Sequence, residues 1–266
     1  MRKIIISGCC GHMGRVVADI CTNDPDVEIA AGIDLLAQPM DGFPVYSTPA
    51  ACGVEADAVI DFSHPAALSG LLDFCVGRKL PIVLATTGYS DEQLAQIDGA
   101  AKSIPVFRSA NMSLGINVLV DLIKRASSLL GEDFDVEIVE RHHRRKLDAP
   151  SGTALMLADA AASALPYEAE YVYDRHSVRK PRDRREIGVC AVRGGTIVGD
   201  HTVVFAGRDE VIELSHHAAS REVFAVGAVK AAKFLASVDK PGLYDMSHLI
   251  GGERGNLQWI SGNGSI

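Results

Sequence analysis

The sequence predicts an α/β chain in two domains: one built on a parallel sheet covered by helices, the other a smaller α+β domain with a mixed, mostly antiparallel sheet. Three observations carry this prediction. From residue 3 to residue 110, apolar strand-like runs alternate with helix-like runs, as in a sheet buried on both faces. Beyond residue 185 the strand-like runs are joined by short polar connections, which favour an antiparallel or mixed sheet. A last apolar helix, "REVFAVGAVKAAKFLAS", can return to cover the first sheet, making the second domain an insertion. The expected domains are therefore 1–112 with 222–250, and 113–221. The glycine-rich, aperiodic end, 251–266, is expected to be a disordered tail.

The elements follow in order. "KIIISG" is a continuous apolar strand, and "HMGRVVADICTN" has helical spacing and stops before Asp24-Pro25. "VEIAAGID" and "ADAVIDFS" are strands, and Pro65 opens the helix "PAALSGLLDFCVGR". "PIVLATTG" and "PVFRSA" are strands flanking the helix "SDEQLAQIDGAAKS", for which Ser90 is the expected cap. A long apolar helix, "SLGINVLVDLIKRASSLLG", precedes "DVEIVERHH", which alternates like a half-buried strand. After the loop "RRKLDAPSG" come the helix "TALMLADAAASAL" and the strands "EIGVCAVRGG", "TIVGDHTVVFAG" and "DEVIELSHHA".

Composition narrows the function classes. A chain of 266 residues, 47% hydrophobic, buries one sizeable core or two modest ones. Its net charge of -8 repels polyanions, so nucleic acid is a poor partner. No apolar run approaches a membrane span, and "MRKIIISG" reads as a strand rather than a leader, which together point to a cytoplasmic chain. The six cysteines, Cys9, Cys10, Cys21, Cys52, Cys75 and Cys190, form no C-x-x-C pair and read as reduced thiols.

Gly8, Gly11 and Gly14 in "GCCGHMGR" follow a strand and open a helix. Glycine there permits a tight turn and lets backbone N–H groups approach a pyrophosphate at the helix N-terminus. Asp34 ends the second strand, twenty positions after Gly14, where a carboxylate accepts hydrogen bonds from ribose hydroxyls. The combination marks a Rossmann-like dinucleotide-binding domain. Asp34 is followed by Leu35 rather than arginine, so a 2′-phosphate would meet repulsion and no cation; this favours NADH over NADPH. His12, inside the loop, can still reach a phosphate, so NADPH stays open. Cys9 and Cys10 read as loop residues whose N–H groups matter more than their thiols. A helix N-terminus also lowers thiol pKa values, which would make them sensitive to oxidation.

The most informative stretch is "ERHHRRKLDAPSGTA", Glu140 to Ala154, with six consecutive basic or potentially basic residues in an acidic protein. Zinc is disfavoured, because His142-His143 brings no third ligand at metal spacing. Ser151-Gly152-Thr153 opens a helix, whose first-turn N–H groups form a ready carboxylate site. Lys146 and the histidines add cationic donors, which together suit a small anion with more than one carboxylate. A histidine titrating near neutrality can also protonate a centre that receives hydride.

The signature E-x-H-H-x-x-K-x-D-A-P-S-G-T-A, matched throughout Glu140 to Ala154, resembles that of the 4-hydroxy-tetrahydrodipicolinate (dihydrodipicolinate) reductases of lysine and diaminopimelate synthesis. The resemblance extends over the glycine loop, "DFSHP", "TTG", "SANMSLGIN", "GGTIVGDHTVVFAG" and "GLYDM", nearly the whole chain except its end. It implies a homotetramer that uses NADH or NADPH, with cofactor and substrate held by different domains that close on each other. By position it implies His142 as proton donor or acceptor and Lys146 as the second catalytic group. It further implies that His143, Ser151, Gly152 and Thr153 hold a substrate carboxylate. The cofactor loop would be Gly8, Cys9, Cys10, Gly11, His12 and Met13, with Asp34 on the ribose. Ala85, Thr86 and Thr87, with Ser109, Ala110, Asn111 and Met112, would line the nicotinamide.

Departures from the family pattern are the Cys9-Cys10 pair, Ala85 where glycine is common, and the basic segment "RHSVRKPRDRREIG". Arg182, Arg184 and Arg185 in that segment read as a solvated loop rather than a rim attracting the substrate. Other readings kept open are a reductase of another cyclic imine, a non-catalytic dinucleotide sensor, which would need neither His142 nor Lys146, and a histidine-dependent metalloenzyme.

Overall fold

The computed structural model describes residues 1–251. Apart from Gly251, the tail expected at 251–266 lies outside the described residues. Along the chain run β1 (Arg2–Ser7), α1 (His12–Thr22), β2 (Val27–Ile33), β3 (Val45–Tyr46), β4 (Ala58–Asp61), α2 (Leu68–Arg78), β5 (Ile82–Leu84), α3 (Asp91–Ala100) and β6 (Pro105–Arg108). Then come α4 (Leu114–Leu130), β7 (Asp135–His142), α5 (Gly152–Ala162), β8 (Glu170–Val172), β9 (Glu186–Arg193), β10 (Gly199–Ala206) and β11 (Val211–Ala218). The chain continues through α6 (Glu222–Leu235), β12 (Gly242–Tyr244) and α7 (Met246–Gly251). Two compact units result: Met1–Ala110 with the chain from Ala228, and Asn111–Gly227.

The first unit holds a seven-stranded sheet in the order β12-β6-β5-β4-β1-β2-β3. Every ladder in it is parallel. Strand order reverses between β1 and β4, the switch point at which such sheets open a crevice beyond their carboxyl ends. β1 is central, and Ile4, Ile5 and Ile6 are all fully buried. Each such side chain contributes roughly 1.5–3 kcal/mol through its removal from water. Leu68, Leu71, Leu72 and Ile97 from α2 and α3 pack with Ile5, Val59, Ile82 and Val106 of the sheet. Ser90 caps α3 and forms a reciprocal capping box with Gln93. Helix α6, the expected covering helix, does return to this sheet: Phe234 meets Phe107 edge-on at 6.4 Å. Lys233 of that helix also bonds Asp24 and Asp26 at 3.0 and 2.9 Å.

The second unit holds a five-stranded sheet, β11-β10-β7-β9-β8. β10 runs antiparallel to β11 and to β7, while β9 runs parallel to β7 and to β8. The sheet is mixed, with its ladders divided evenly between the two senses. β9 and β10, joined by a short connection, do not pair with each other, because β7 lies between them. Burial alternates strictly along β7, as its sequence requires. Leu119 and Ile123 of α4 and Leu157, Ala158 and Ala161 of α5 cover the sheet against Val136, Ile138, Ile187, Val203 and Phe205.

One basic residue departs from expectation. Arg182 is not a solvated loop residue: it bonds Asp135 Oδ1 at 2.7 Å, Glu137 Oε1 at 2.9 Å and the Val136 carbonyl at 3.0 Å. Arg175 bonds Glu137 at 2.6 Å and the buried Glu186 as well, so the segment before β9 is pinned to β7. Gly188 makes room for this, since a Cβ there would lie 1.8 Å from Glu137 Oε2. Arg184 and Arg185 are exposed, as expected of them. Among the described residues no helix is long and apolar enough to cross a membrane.

Candidate active site

Within the first unit, the residues expected at a dinucleotide gather at the carboxyl ends of β1, β2, β5 and β6. Gly8 adopts φ +77°, and a Cβ there would lie 2.7 Å from the Phe62 carbonyl oxygen. At Gly14 a Cβ would stand 2.0 Å from the Gly8 oxygen, so only glycine lets α1 pack this close to β1. Helices α3, α4 and α5 are each capped by a serine hydroxyl, whereas α1 begins at Gly11 with no side-chain cap. The first-turn N–H groups from His12 onward are thus left for an anion, the arrangement a pyrophosphate needs. Asp34 turns back onto the loop, accepting from Cys10 N–H and Leu36 N–H, each at 3.0 Å.

At the next loop, Thr86 donates its hydroxyl to Asp61 Oδ2 at 2.8 Å, and Ser63 donates to Asp61 Oδ1 at 2.6 Å. Asp61, buried at the end of β4, was not among the expected site residues, yet it ties the "DFSHP" and "TTG" loops together. Ala85 is half-buried and Thr87 exposed beside it. Ser109 and Ala110 follow β6 in this unit, whereas Asn111 and Met112 belong to the second.

One thiol of the glycine loop, that of Cys9, differs from expectation. Cys9 is fully buried, and a Cβ on Gly32 would lie 2.5 Å from its Sγ. Burial, with Cys10 and Asp34 close by, pushes its pKa up to about 12. Desolvation outweighs the helix N-terminus here, so Cys9 is not an activated thiol. All six cysteines are free.

In the second unit, sheet register brings the expected catalytic histidine together with side chains from other strands. Glu140 and His142, two apart on β7, face the same way; β10 sets His201 opposite Glu140, and β9 sets Arg193 opposite His142. Glu140 is fully buried. Its carboxylate takes Arg193 in a two-point pair at 2.7 Å each, His142 Nδ1 at 2.7 Å and Ser151 N–H at 3.0 Å. Burial alone would raise its pKa, but the hydrogen bonds from Arg193, His142 and Ser151 outweigh it and hold the acid below the ordinary glutamate range. An ionised carboxylate only accepts, so His142 donates its Nδ1 proton and Nε2 stays outside this pair. Gly199 leaves space beside it: a Cβ there would lie 3.0 Å from Nε2.

Ser151 is the N-cap of α5. Its hydroxyl accepts from Ala154 N–H at 3.1 Å and lies 3.0 Å from His201 Nε2. Since Ser151 is 2% exposed with its hydroxyl engaged, it shapes the helix start, and the open donors are the N–H groups of Gly152 and Thr153. His201 has its pKa lowered to about 4, first by burial and then by His142, so it is neutral. Thr153 Oγ1 accepts from Asn111 Nδ2 at 3.0 Å, which joins one expected nicotinamide residue to the substrate group.

Lys146 pairs with Asp148 at 2.8 Å and keeps a fifth of its side chain exposed. His143 Nδ1 is buried with no hydrogen-bond partner among the described residues. The pKa of His143 is lowered by desolvation and then by Arg221, Arg145, His142 and Lys146. Cationic groups thus gather around His143, and Arg221, seventy-eight residues further along the chain, joins them with no sequence motif to announce it.

Comparison with known proteins places the chain in a family. Residues 2–112 match the family model described as "Dihydrodipicolinate reductase, N-terminus", and residues 115–250 match "Dihydrodipicolinate reductase, C-terminus". The chain belongs to the dihydrodipicolinate reductase family. Relatives named 4-hydroxy-tetrahydrodipicolinate reductase include one from Caldanaerobacter subterraneus subsp. tengcongensis, 55% identical over 94% of this chain and 98% of its own. Another, from Clostridium botulinum, is 47% identical over 94% of this chain and 99% of its own. Among solved structures, the dipicolinate-bound family member from Paenisporosarcina sp. TG-14 superposes with a TM-score of 0.77 at 23% identity, over 92% of this chain and 97% of that one. A myo-inositol dehydrogenase from Lactobacillus casei, solved with NAD(H) and myo-inositol, gives 0.59 at 15% identity over 92% and 89%. Those two likenesses show the fold: dihydrodipicolinate reductases share the Rossmann-like dehydrogenase architecture.

Proposed function

We propose that the chain is an NAD(P)H-dependent 4-hydroxy-tetrahydrodipicolinate reductase, with NADH preferred, which forms tetrahydrodipicolinate with loss of water. The observation that carries this reading is His142, fixed through Nδ1 by a buried, arginine-paired carboxylate in the same unit as Lys146 and the open helix start at Gly152-Thr153. A sensor needs no such anchored imidazole.

The uncapped start of α1, the glycine turn and the Asp34 carboxylate fit a dinucleotide: N–H groups for the pyrophosphate, an acceptor for the ribose. Bound there, the reduced nicotinamide supplies the hydride. Thr86, anchored by Asp61, and Ala85, Thr87, Ser109 and Ala110 line the approach to it.

Gly152 and Thr153 N–H groups hold one substrate carboxylate, and His143 and Lys146 add positive charge to it. Dehydration of the ring alcohol gives a conjugated imine, and hydride adds to a ring carbon. The charge this creates is neutralised by a proton from His142 Nε2, while Glu140 stabilises the imidazolium through Nδ1–H. Lys146 polarises the substrate as the hydride arrives. Fixed orientation at the helix start supplies much of the rate. The reading makes the protein a cytoplasmic homotetramer acting on a small dicarboxylate.

The test couples the dihydrodipicolinate-forming synthase to this protein and follows NADH absorbance. Steady oxidation that requires the synthase product is expected, and no oxidation with that product overturns the substrate. A kcat/KM ratio favouring NADPH would overturn the NADH preference argued from Asp34 and Leu35.

A further inference from the structure

The cofactor reading gives the thiols of Cys9 and Cys10 no role. The two sulfur atoms stand 3.9 Å apart. With a carboxylate oxygen of Asp34 they form a group whose ligand atoms all lie within 4.8 Å of one another. Two thiolates on a tetrahedral zinc ion, each about 2.3 Å from the metal, sit roughly 3.8 Å apart. The sulfur separation is therefore already that of a zinc ligand pair. It is nearly twice the ~2.05 Å of a disulfide, so the same geometry does not fit a bond between neighbouring cysteines.

The carboxylate is oriented for the task. Cys10 N–H holds one oxygen and Leu36 N–H the other, each at 3.0 Å, and both bonds leave lone pairs available. Burial is graded, with Cys9 buried and Cys10 and Asp34 half-buried, so an ion enters past Cys10 and Asp34 and reaches Cys9 last. Two sulfurs and one oxygen select a thiophilic divalent ion over magnesium or calcium, which take oxygen ligands.

We propose that Cys9, Cys10 and Asp34 form a site for a thiophilic divalent cation, Zn²⁺ or Cd²⁺, and that its occupation excludes the dinucleotide. On binding, each thiol gives its proton to solvent, two metal–sulfur bonds and one metal–oxygen bond form, and water remains in the fourth position. No electron is transferred. The exclusion rests on the cofactor reading above, since it assigns Asp34 to the ribose and the same loop to the pyrophosphate; the metal site itself does not.

The full chain, reduced and stripped by a chelator, is titrated with Cd²⁺ while the ultraviolet thiolate-to-cadmium charge-transfer band is followed. The band is expected to saturate at one equivalent, to weaken at least tenfold in affinity in Asp34→Asn, and to vanish in Cys10→Ser and Cys10→Ala. Cys190→Ser, which removes the exposed thiol, is expected to keep it. Absence of the band in the parent protein, or its persistence in both Cys10 variants, overturns the site. NADH is expected to raise the Cd²⁺ midpoint at least tenfold. NADH binding is measured separately by fluorescence on metal-free protein: binding without a midpoint shift overturns the exclusion, and no binding overturns the cofactor reading while the cadmium band still decides the site.

Discussion

In the proposed reading, Glu140 is the residue on which the chemistry of the second unit turns. Its spacing from His142 was visible in the sequence, because residues two apart on a strand share a face. Its partners were not: Arg193 and His201 come from β9 and β10, and only sheet register brings them to β7. The same holds for Asp61 beneath Thr86 and for Arg221 beside His143, which are coupled across distances in sequence that no local motif spans. Glu140→Gln keeps the shape but leaves the Arg193 guanidinium without its counter-ion and His142 free to lose its Nδ1 proton. Breaking such a buried pair costs about 3 kcal/mol, to be read from urea unfolding. The kcat is expected to fall at least tenfold with an altered pH profile and unchanged NADH binding, and Glu140→Asp to recover part of the rate. An unaltered pH profile would remove Glu140 from any role in positioning His142.

At the level of elements, the alternation of apolar strands and helices was enough to read the parallel sheet, and the glycine spacing placed its ligand loop. The short strands β3, β8 and β12 carry too little periodicity to be seen. The pairing of the second sheet was hidden for another reason. Short connections suggest hairpins, but β7 is the strand that both β9 and β10 choose, so neighbours in sequence become next-nearest neighbours in the sheet. Gly14 tests the loop as an element. Gly14→Ala puts a methyl 2.0 Å from the Gly8 oxygen, a backbone atom that cannot move without opening the turn. NADH affinity is expected to drop at least tenfold by fluorescence titration, with far-ultraviolet circular dichroism retained. Undiminished affinity would show that α1 does not need its close approach to β1 for binding.

At the scale of the whole molecule, stability depends on pH through groups that the fold shifts. His201 titrates at about 4 in the folded chain and near 6.5 when unfolded. The unfolded state therefore takes up this proton first, so the stability His201 contributes is complete above pH 6.5 and is lost as pH falls toward 4. Glu140 is shifted downward, so its contribution is complete above the ordinary glutamate range and lost at lower pH. The melting temperature is expected to fall between pH 7 and pH 4, with a shallower slope in that interval for His201→Gln; an equal slope would contradict the buried neutral histidine. The central claim, that a family reductase works through His142 and Lys146, is tested most directly by the synthase-coupled rate of NADH oxidation in His142→Gln and Lys146→Ala. Loss of general acid–base assistance is worth roughly 10²–10⁴ in rate. The account predicts a fall in kcat of at least a hundredfold in each variant with NADH still bound, and near-normal turnover in both would contradict it.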